Sequence, residues 1–177
     1  MNNLLQGLNV YLIGMMGSGK TTSGKYLSQK LDYRFVDTDE AIAAVAQKSI
    51  PEIFASEGES YFRELETQVL AELSTYTKCA IATGGGIIQK PINWSYLRQG
   101  LVVWLDTDRK ILQKRLSGDQ SRPLVSQLED LLTIRRPLYS QADLKIAIAT
   151  ERKPEAIANE IVEKIPTVLR SSTQLKN

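Results

Sequence analysis

Leu8-Asn9-Val10-Tyr11-Leu12-Ile13-Gly14-Met15-Met16-Gly17-Ser18-Gly19-Lys20-Thr21-Thr22 opens on an apolar run and closes on the pattern G-x-x-x-x-G-K-S/T, from Gly14 to Thr21. Leu8 to Gly14 reads as a buried strand and Lys20 to Leu31 as a helix, so the pattern stands between the two, where its chemistry requires it. Glycines let the backbone curl until successive N–H groups face phosphate oxygens. The helix beginning near Lys20 adds the positive end of its dipole. Lys20 reaches the β- and γ-phosphates, and the Thr21 hydroxyl ligates Mg²⁺. Gly17, Ser18, Gly19, Lys20, Thr21 and Thr22 are therefore the candidate ATP-binding residues, with Thr22 also readable as a plain helix residue. The alternative, a glycine-rich turn that matches by chance, is disfavoured by the strand–loop–helix context. A nucleoside triphosphate is the expected ligand. The acceptor side must decide between a kinase, an ATPase switch and a GTPase.

Outward from this loop, short apolar runs alternate with amphipathic stretches. Arg34–Val36, Cys79–Thr83, Leu101–Leu105 and Leu144–Ala149 read as strands. Ala41–Gln47, Asp108–Leu116 and Leu128–Tyr139 read as helices. Ser49 and Glu52 form a capping box for a helix through Phe54. Gly58 breaks that helix, and Phe62, Leu65, Val69, Leu70 and Leu73 mark the next one, Ser60–Ser74, by their spacing. A last helix spans Pro154–Ile165, with Pro154 in the favoured first turn and Pro166 disturbing or ending it. The tail, about 171–177, is polar and expected to fray. Five strands separated by helical stretches require crossover connections, hence a parallel sheet covered on both faces: an α/β fold. With no repeat, linker or low-complexity tract, one domain over residues 1–177 is expected. Ser117–Gln127 is polar and aperiodic. It reads as a surface loop, or as a lid if the nearby site must close.

Composition removes several classes of function. The 177 residues carry 22 Lys and Arg against 20 Asp and Glu, a net charge of +2, which gives no electrostatic reason to expect nucleic acid. There is no histidine, so Ser-His-Asp triads, histidine metal sites and histidine acid–base chemistry are excluded. The single cysteine, Cys79, forms no internal disulfide and suits a reducing compartment. No apolar run approaches the roughly 18 residues of a membrane-spanning helix, and MNNLLQGLNV does not read as a signal peptide.

The acceptor side begins at Phe35-Val36-Asp37-Thr38-Asp39, two carboxylates at a strand's carboxyl end, where open parallel sheets bind ligands. Residues two apart share a side, so both carboxylates can face the crevice, separated by Mg²⁺ or a substrate hydroxyl. Alternatively Asp39 caps the helix that follows. Arg63 and Glu66 share a helical face. They read as a surface ion pair, or as an arginine held ready for a carboxylate. Gly84-Gly85-Gly86 is a tight turn or a ligand-contacting nest. Arg122, Arg135 and Arg136 read singly as surface charges.

The set, in one order, is more specific than its parts. GMMGSGKTTSGKYL, FVDTDEAI, SIPEIFASEGESYFRELE, TGGGII, SRPL and RRPLY together closely resemble shikimate kinases, small P-loop kinases, from about Asn9 to Ile161. The resemblance implies a three-layer α/β/α P-loop kinase fold, with sheet order 2-3-1-4-5, substrate-binding helices over about 38–75 and a lid over about 117–127. It implies transfer of the γ-phosphoryl group of ATP to the 3-hydroxyl of shikimate, with Mg²⁺ as cofactor. Lys20, Asp39 and Arg122 would be catalytic. Thr21 and Asp37 would serve the metal. Asp39, Arg63, Arg135, Gly84, Gly85 and Gly86 would bind shikimate, with Arg135 preferred to Arg136 by its place in RRPLY. Arg115, Arg122, Arg152 and Pro154 would complete the ATP site. A cytoplasmic monomer with no nucleic-acid or membrane partner is expected. A gluconate-type kinase on the same fold and a non-catalytic ATP-binding module are the rival readings.

Overall fold

Val10–Ile13 forms strand β1, and all four of its side chains are buried. Val10 and Leu12 join one apolar cluster, Tyr11 and Ile13 another. Alternate side chains leave a strand on opposite sides, so β1 needs cover on both faces and takes the centre of the sheet. The computed structural model describes residues 5–117 and 127–174. In chain order the remaining elements are α1 (Lys20–Leu31), β2 (Arg34–Asp37), α2 (Thr38–Ala46), α3 (Ile50–Ser56), α4 (Gly58–Ser74), β3 (Cys79–Ala82), a 3₁₀ turn (Ile87–Gln89), α5 (Pro91–Leu97), β4 (Leu101–Thr107), α6 (Arg109–Leu116), α7 (Leu128–Tyr139), β5 (Leu144–Ile148) and α8 (Pro154–Gln174). Every strand pair is parallel, in the order β2-β3-β1-β4-β5. Leu27, Leu31, Ile157 and Ile161, from α1 and α8, cover one face, while Leu70 of α4 and Trp94 of α5 lie on the other. Among the described residues no helix is long and apolar enough to cross a membrane.

Register brings three loops together. Asp37 pairs with Ala82, and Ala82 with Leu12, so β2, β3 and β1 end at one level. The phosphate loop, the Asp37–Asp39 corner and the three-glycine turn therefore leave the same edge of the sheet side by side.

Strand ends shift by one or two residues from the sequence expectation, and three helix boundaries shift by two or more. Helix α2 starts at Thr38 rather than Ala41, and its cap is Asp37, whose side chain accepts from the Asp39 amide at 3.0 Å. The reading of Asp39 as a helix cap is thereby corrected. Helix α4 starts at Gly58 itself, the break between α3 and α4 being one residue, Glu57. Helix α8 passes through Pro166 and continues to Gln174, four residues into the stretch expected to fray. An interior proline costs about 3 kcal/mol, but Ile165 is fully buried and Val168 and Leu169 pack on the core. Burial of such side chains, about 1.5–3 kcal/mol for each one fully covered, offsets that cost. The 3₁₀ turn and α5 have no counterpart in the sequence reading; α5 carries Pro91 in its first turn.

Candidate active site

Helix α1 has no side-chain cap: Gly19 precedes it in the left-handed conformation, φ 92° and ψ 18°. Its first-turn amides are thus left for a ligand, with the helix dipole behind them. Lys20 is buried, and its Nζ donates to the Gly14 and Met15 carbonyls at 2.8 Å each. The ammonium is held inside the curl of the loop. Thr22 lines the cleft, with its hydroxyl donating to the Gly19 carbonyl at 3.1 Å. Ser18 turns inward and is fully buried, its amide donating to the Met15 carbonyl.

Thr21 Oγ1 donates to Asp37 Oδ2 at 2.7 Å, while Asp37 Oδ1 holds the start of α2. The two residues expected to serve a metal thus touch. A hydroxyl and a carboxylate are hard oxygen donors of the kind Mg²⁺ takes from protein when it keeps its waters and binds phosphates. The donor set fits that ion.

A cleft of about 580 Å³ runs from this loop to the acceptor side, lined by Lys20, Thr21, Asp37, Asp39, Gly84 and Gly85 among others. Asp39 is exposed into it from the first turn of α2. Beside the cleft, Arg63 Nη1 donates to Glu66 Oε2 at 2.8 Å and Arg63 Nη2 to Glu59 Oε1 at 3.2 Å. A methyl group at Gly84 would lie 2.8 Å from Glu66 Oε1 and 3.0 Å from Asp39 Oδ1, and one at Gly86 would strike the Arg63 guanidinium. A side chain at either position would push these charged groups out of their places beside the cleft. Arg135 is buried, its Nη1 3.6 Å from where a Gly85 methyl would sit, whereas exposed Arg136 is engaged by Asp106 at 2.8 and 3.0 Å. The structure thus brings Asp39, Arg63, Arg135 and the three glycines together and leaves Arg136 outside.

The shikimate kinase family model matches residues 16–166 of the chain. The chain belongs to the shikimate kinase family. It is 54% identical to a shikimate kinase of Trichormus variabilis over 98% of this chain and 99% of that one. It is 57% identical to the shikimate kinase of Microcystis aeruginosa, over 95% and 92% of the two chains. The solved structure of shikimate kinase from Acinetobacter baumannii in complex with shikimate superposes with a TM-score of 0.87 at 37% identity, covering 93% of this chain and 96% of that one.

In this kinase Arg115, Arg152 and Pro154 also line the cleft. Arg115 Nη1 donates to the Gly17 carbonyl at 2.8 Å, and its Nη2 pairs with Glu151 at 2.6 Å. Arg152 is drawn back to Glu160 of α8 at 2.5 Å. Glu151 is a cleft residue that sequence reasoning passed over; its place just beyond a strand's carboxyl end was the available signal. Arg122 and most of the expected lid lie outside the described residues.

Burial pushes the Glu66 carboxyl above its usual range and nearby Asp39 acts the same way, against the opposing charge and hydrogen bond of Arg63. Such a raised group stabilises the fold fully below its unfolded pKa, and that contribution is lost as pH rises through the folded pKa. Glu66→Gln, which cannot ionise, should therefore gain in melting temperature relative to wild type as pH rises above the ordinary glutamate range. A difference independent of pH would contradict the raised pKa.

Proposed function

We propose that this chain transfers the γ-phosphoryl group of ATP to the 3-hydroxyl of shikimate, giving shikimate 3-phosphate and ADP on the route to chorismate and the aromatic amino acids. The observation that carries this reading is the junction at the ends of β2, β3 and β1. There a phosphate loop, an acceptor-facing aspartate and two arginines set around a glycine turn share one sheet edge. A hydroxylated acid needs arginine forks for its carboxylate and carboxylate or amide partners for its hydroxyls.

In this account Arg63 and Arg135 grip the carboxylate, with Glu66 holding Arg63 in plane. Gly85 and Gly86 offer backbone amides: among the described residues neither donates to a protein acceptor. Asp39 orients the 3-hydroxyl toward the phosphate loop. Lys20 and the uncapped amides of α1 neutralise the phosphates, since phosphoryl transfer is won by positioning and charge neutralisation. Mg²⁺, held through Thr21 and Asp37, would supply further positive charge at the phosphates. Gly17, Ser18, Gly19 and Thr22 complete the loop. Arg115, Arg152 and Pro154 receive the adenine side, and Arg122, on the strength of the resemblance, reaches ATP from the lid. The proposed residues all lie on one chain, so a monomer suffices. The lone thiol, Cys79, is buried and suits the cytoplasm.

The test is ADP release at fixed MgATP with shikimate, gluconate or no acceptor. Release dependent on shikimate alone is expected; release dependent on gluconate would move the chain to the other small-metabolite kinases, and ATP binding with no release on either acceptor would leave a binding module. Arg63→Lys should raise the shikimate KM about 10-fold or more, because an ammonium cannot replace the planar fork. A KM within about twofold would return Arg63 to the surface ion-pair reading.

A further inference from the structure

All three carbonyls of the three-glycine turn, and its first amide, are held by the protein. The Gly84 amide donates to Thr38 Oγ1 at 3.0 Å, and the Gly84 and Gly86 carbonyls accept from the amides of Ile87 and Gln89 at 3.2 and 3.0 Å. Just beyond, the Ile87 and Ile88 carbonyls accept from Asn93 Nδ2 and Trp94 Nε1 at 2.8 and 3.2 Å. The middle carbonyl, that of Gly85, is held by a side chain from another layer of the sequence: Tyr139 Oη, at the end of α7, donates to it at 2.5 Å. Tyr139 is 1% exposed, with its ring stacked on Trp104 at 5.9 Å and its hydroxyl beside Met15 Sδ at 3.6 Å. Of the two acceptors in reach of the phenol, the Gly85 carbonyl is the nearer and, as an oxygen, the stronger.

A trans peptide is planar, so the carbonyl of one residue and the amide of the next point in opposite directions. A peptide between two glycines meets little steric resistance to flipping, because glycine adopts either sign of φ. We infer that Tyr139 is a positioning residue for the acceptor: its hydroxyl locks the Gly85–Gly86 peptide in the one orientation that presents the Gly86 amide to shikimate. This rests on the proposed acceptor site. Without the hydroxyl the Gly85 carbonyl loses its partner in a mostly buried turn, a loss that itself favours the flip. Tyr139 also ties Arg135, one turn earlier on α7, to the glycines it works beside. Burial holds the phenol pKa up at about 12, so the donor keeps its proton throughout the working pH range.

The experiment is steady-state kinetics of wild type and Tyr139→Phe in parallel. The shikimate KM of the variant should rise about fivefold or more, while the ATP KM stays within about twofold. A purely structural role would lower the melting temperature and the active fraction but leave the shikimate KM unchanged, and that result would overturn the inference. Wild type without shikimate-dependent turnover would instead mean that the acceptor reading had failed. A crystal structure of the unliganded wild-type enzyme decides the matter independently of how the variant folds. The Gly85 carbonyl should point to Tyr139 Oη there, and a flipped Gly85–Gly86 peptide would refute the lock.

Discussion

Replacing Asp39 by alanine should lower kcat by about 10²- to 10⁴-fold and leave the Kd for MgATP within about twofold. Asp39 stands in the first turn of α2, with Oδ1 3.0 Å from the position a Gly84 methyl would occupy. That is the end of the cleft proposed to take the acceptor. The donor end is built from other residues: Lys20, the amides of α1 and the Thr21–Asp37 pair. Removing the carboxylate leaves these untouched, because Asp39 contributes its amide, not its side chain, to the Asp37 cap. Asp39→Asn separates two roles for the carboxylate. An amide can still accept the hydroxyl's hydrogen bond but cannot take its proton. An orienting role predicts that asparagine keeps much of what alanine loses, whereas a proton-accepting role predicts equal losses. Unimpaired turnover in Asp39→Ala would remove the residue from the chemistry altogether.

Lys20→Met should lower kcat by about 10²- to 10³-fold, the size of effect seen when one preorganised charge or donor is taken from a transition state. Methionine keeps the length and apolar character of the stem and deletes the ammonium. That ammonium is 8% exposed as part of its residue and sits on two loop carbonyls at 2.8 Å. It is thus positioned before the nucleotide arrives, and little reorganisation is needed in the transition state. The deletion also takes the Lys20 donor from the Gly14 and Met15 carbonyls, the latter keeping only the Ser18 amide, so the loop should loosen and the affinity for MgATP fall together with kcat. Melting temperature should change little by comparison, because the β1 core lies behind the loop. A kcat within about tenfold of wild type would show that the α1 amides alone carry the phosphate charge.

Much of this architecture is legible in the chain itself. The bounds of α1 and α7 follow directly from apolar spacing and agree with the structure. The Ser49–Glu52 capping box forms both of its reciprocal bonds, because its signal is local. Non-local effects are what sequence conceals. Pro166 reads as a stop, yet α8 runs on because its far end has a core to cover. The place of Arg135 in RRPLY favours it over Arg136 by resemblance, without a physical reason visible in the sequence. Only the fold shows Asp106, on the neighbouring β4, taking Arg136 away from the site. Tyr139 looks like an ordinary core aromatic closing a helix. Its bond to Gly85 spans 54 positions, and no local pattern announces it. Glu66 shows the converse: its spacing from Arg63 is visible at once, but the burial that changes its chemistry is not.

The proposed reaction is one phosphoryl transfer to one oxygen. The most direct measurement is to incubate the enzyme with MgATP labelled with ³²P at the γ-position and shikimate, isolate the labelled product and locate the phosphate by ¹H–³¹P correlation. The account predicts a single labelled ester on the 3-oxygen, formed in equal amount with ADP. Label released as inorganic phosphate, or carried on another oxygen, would contradict it.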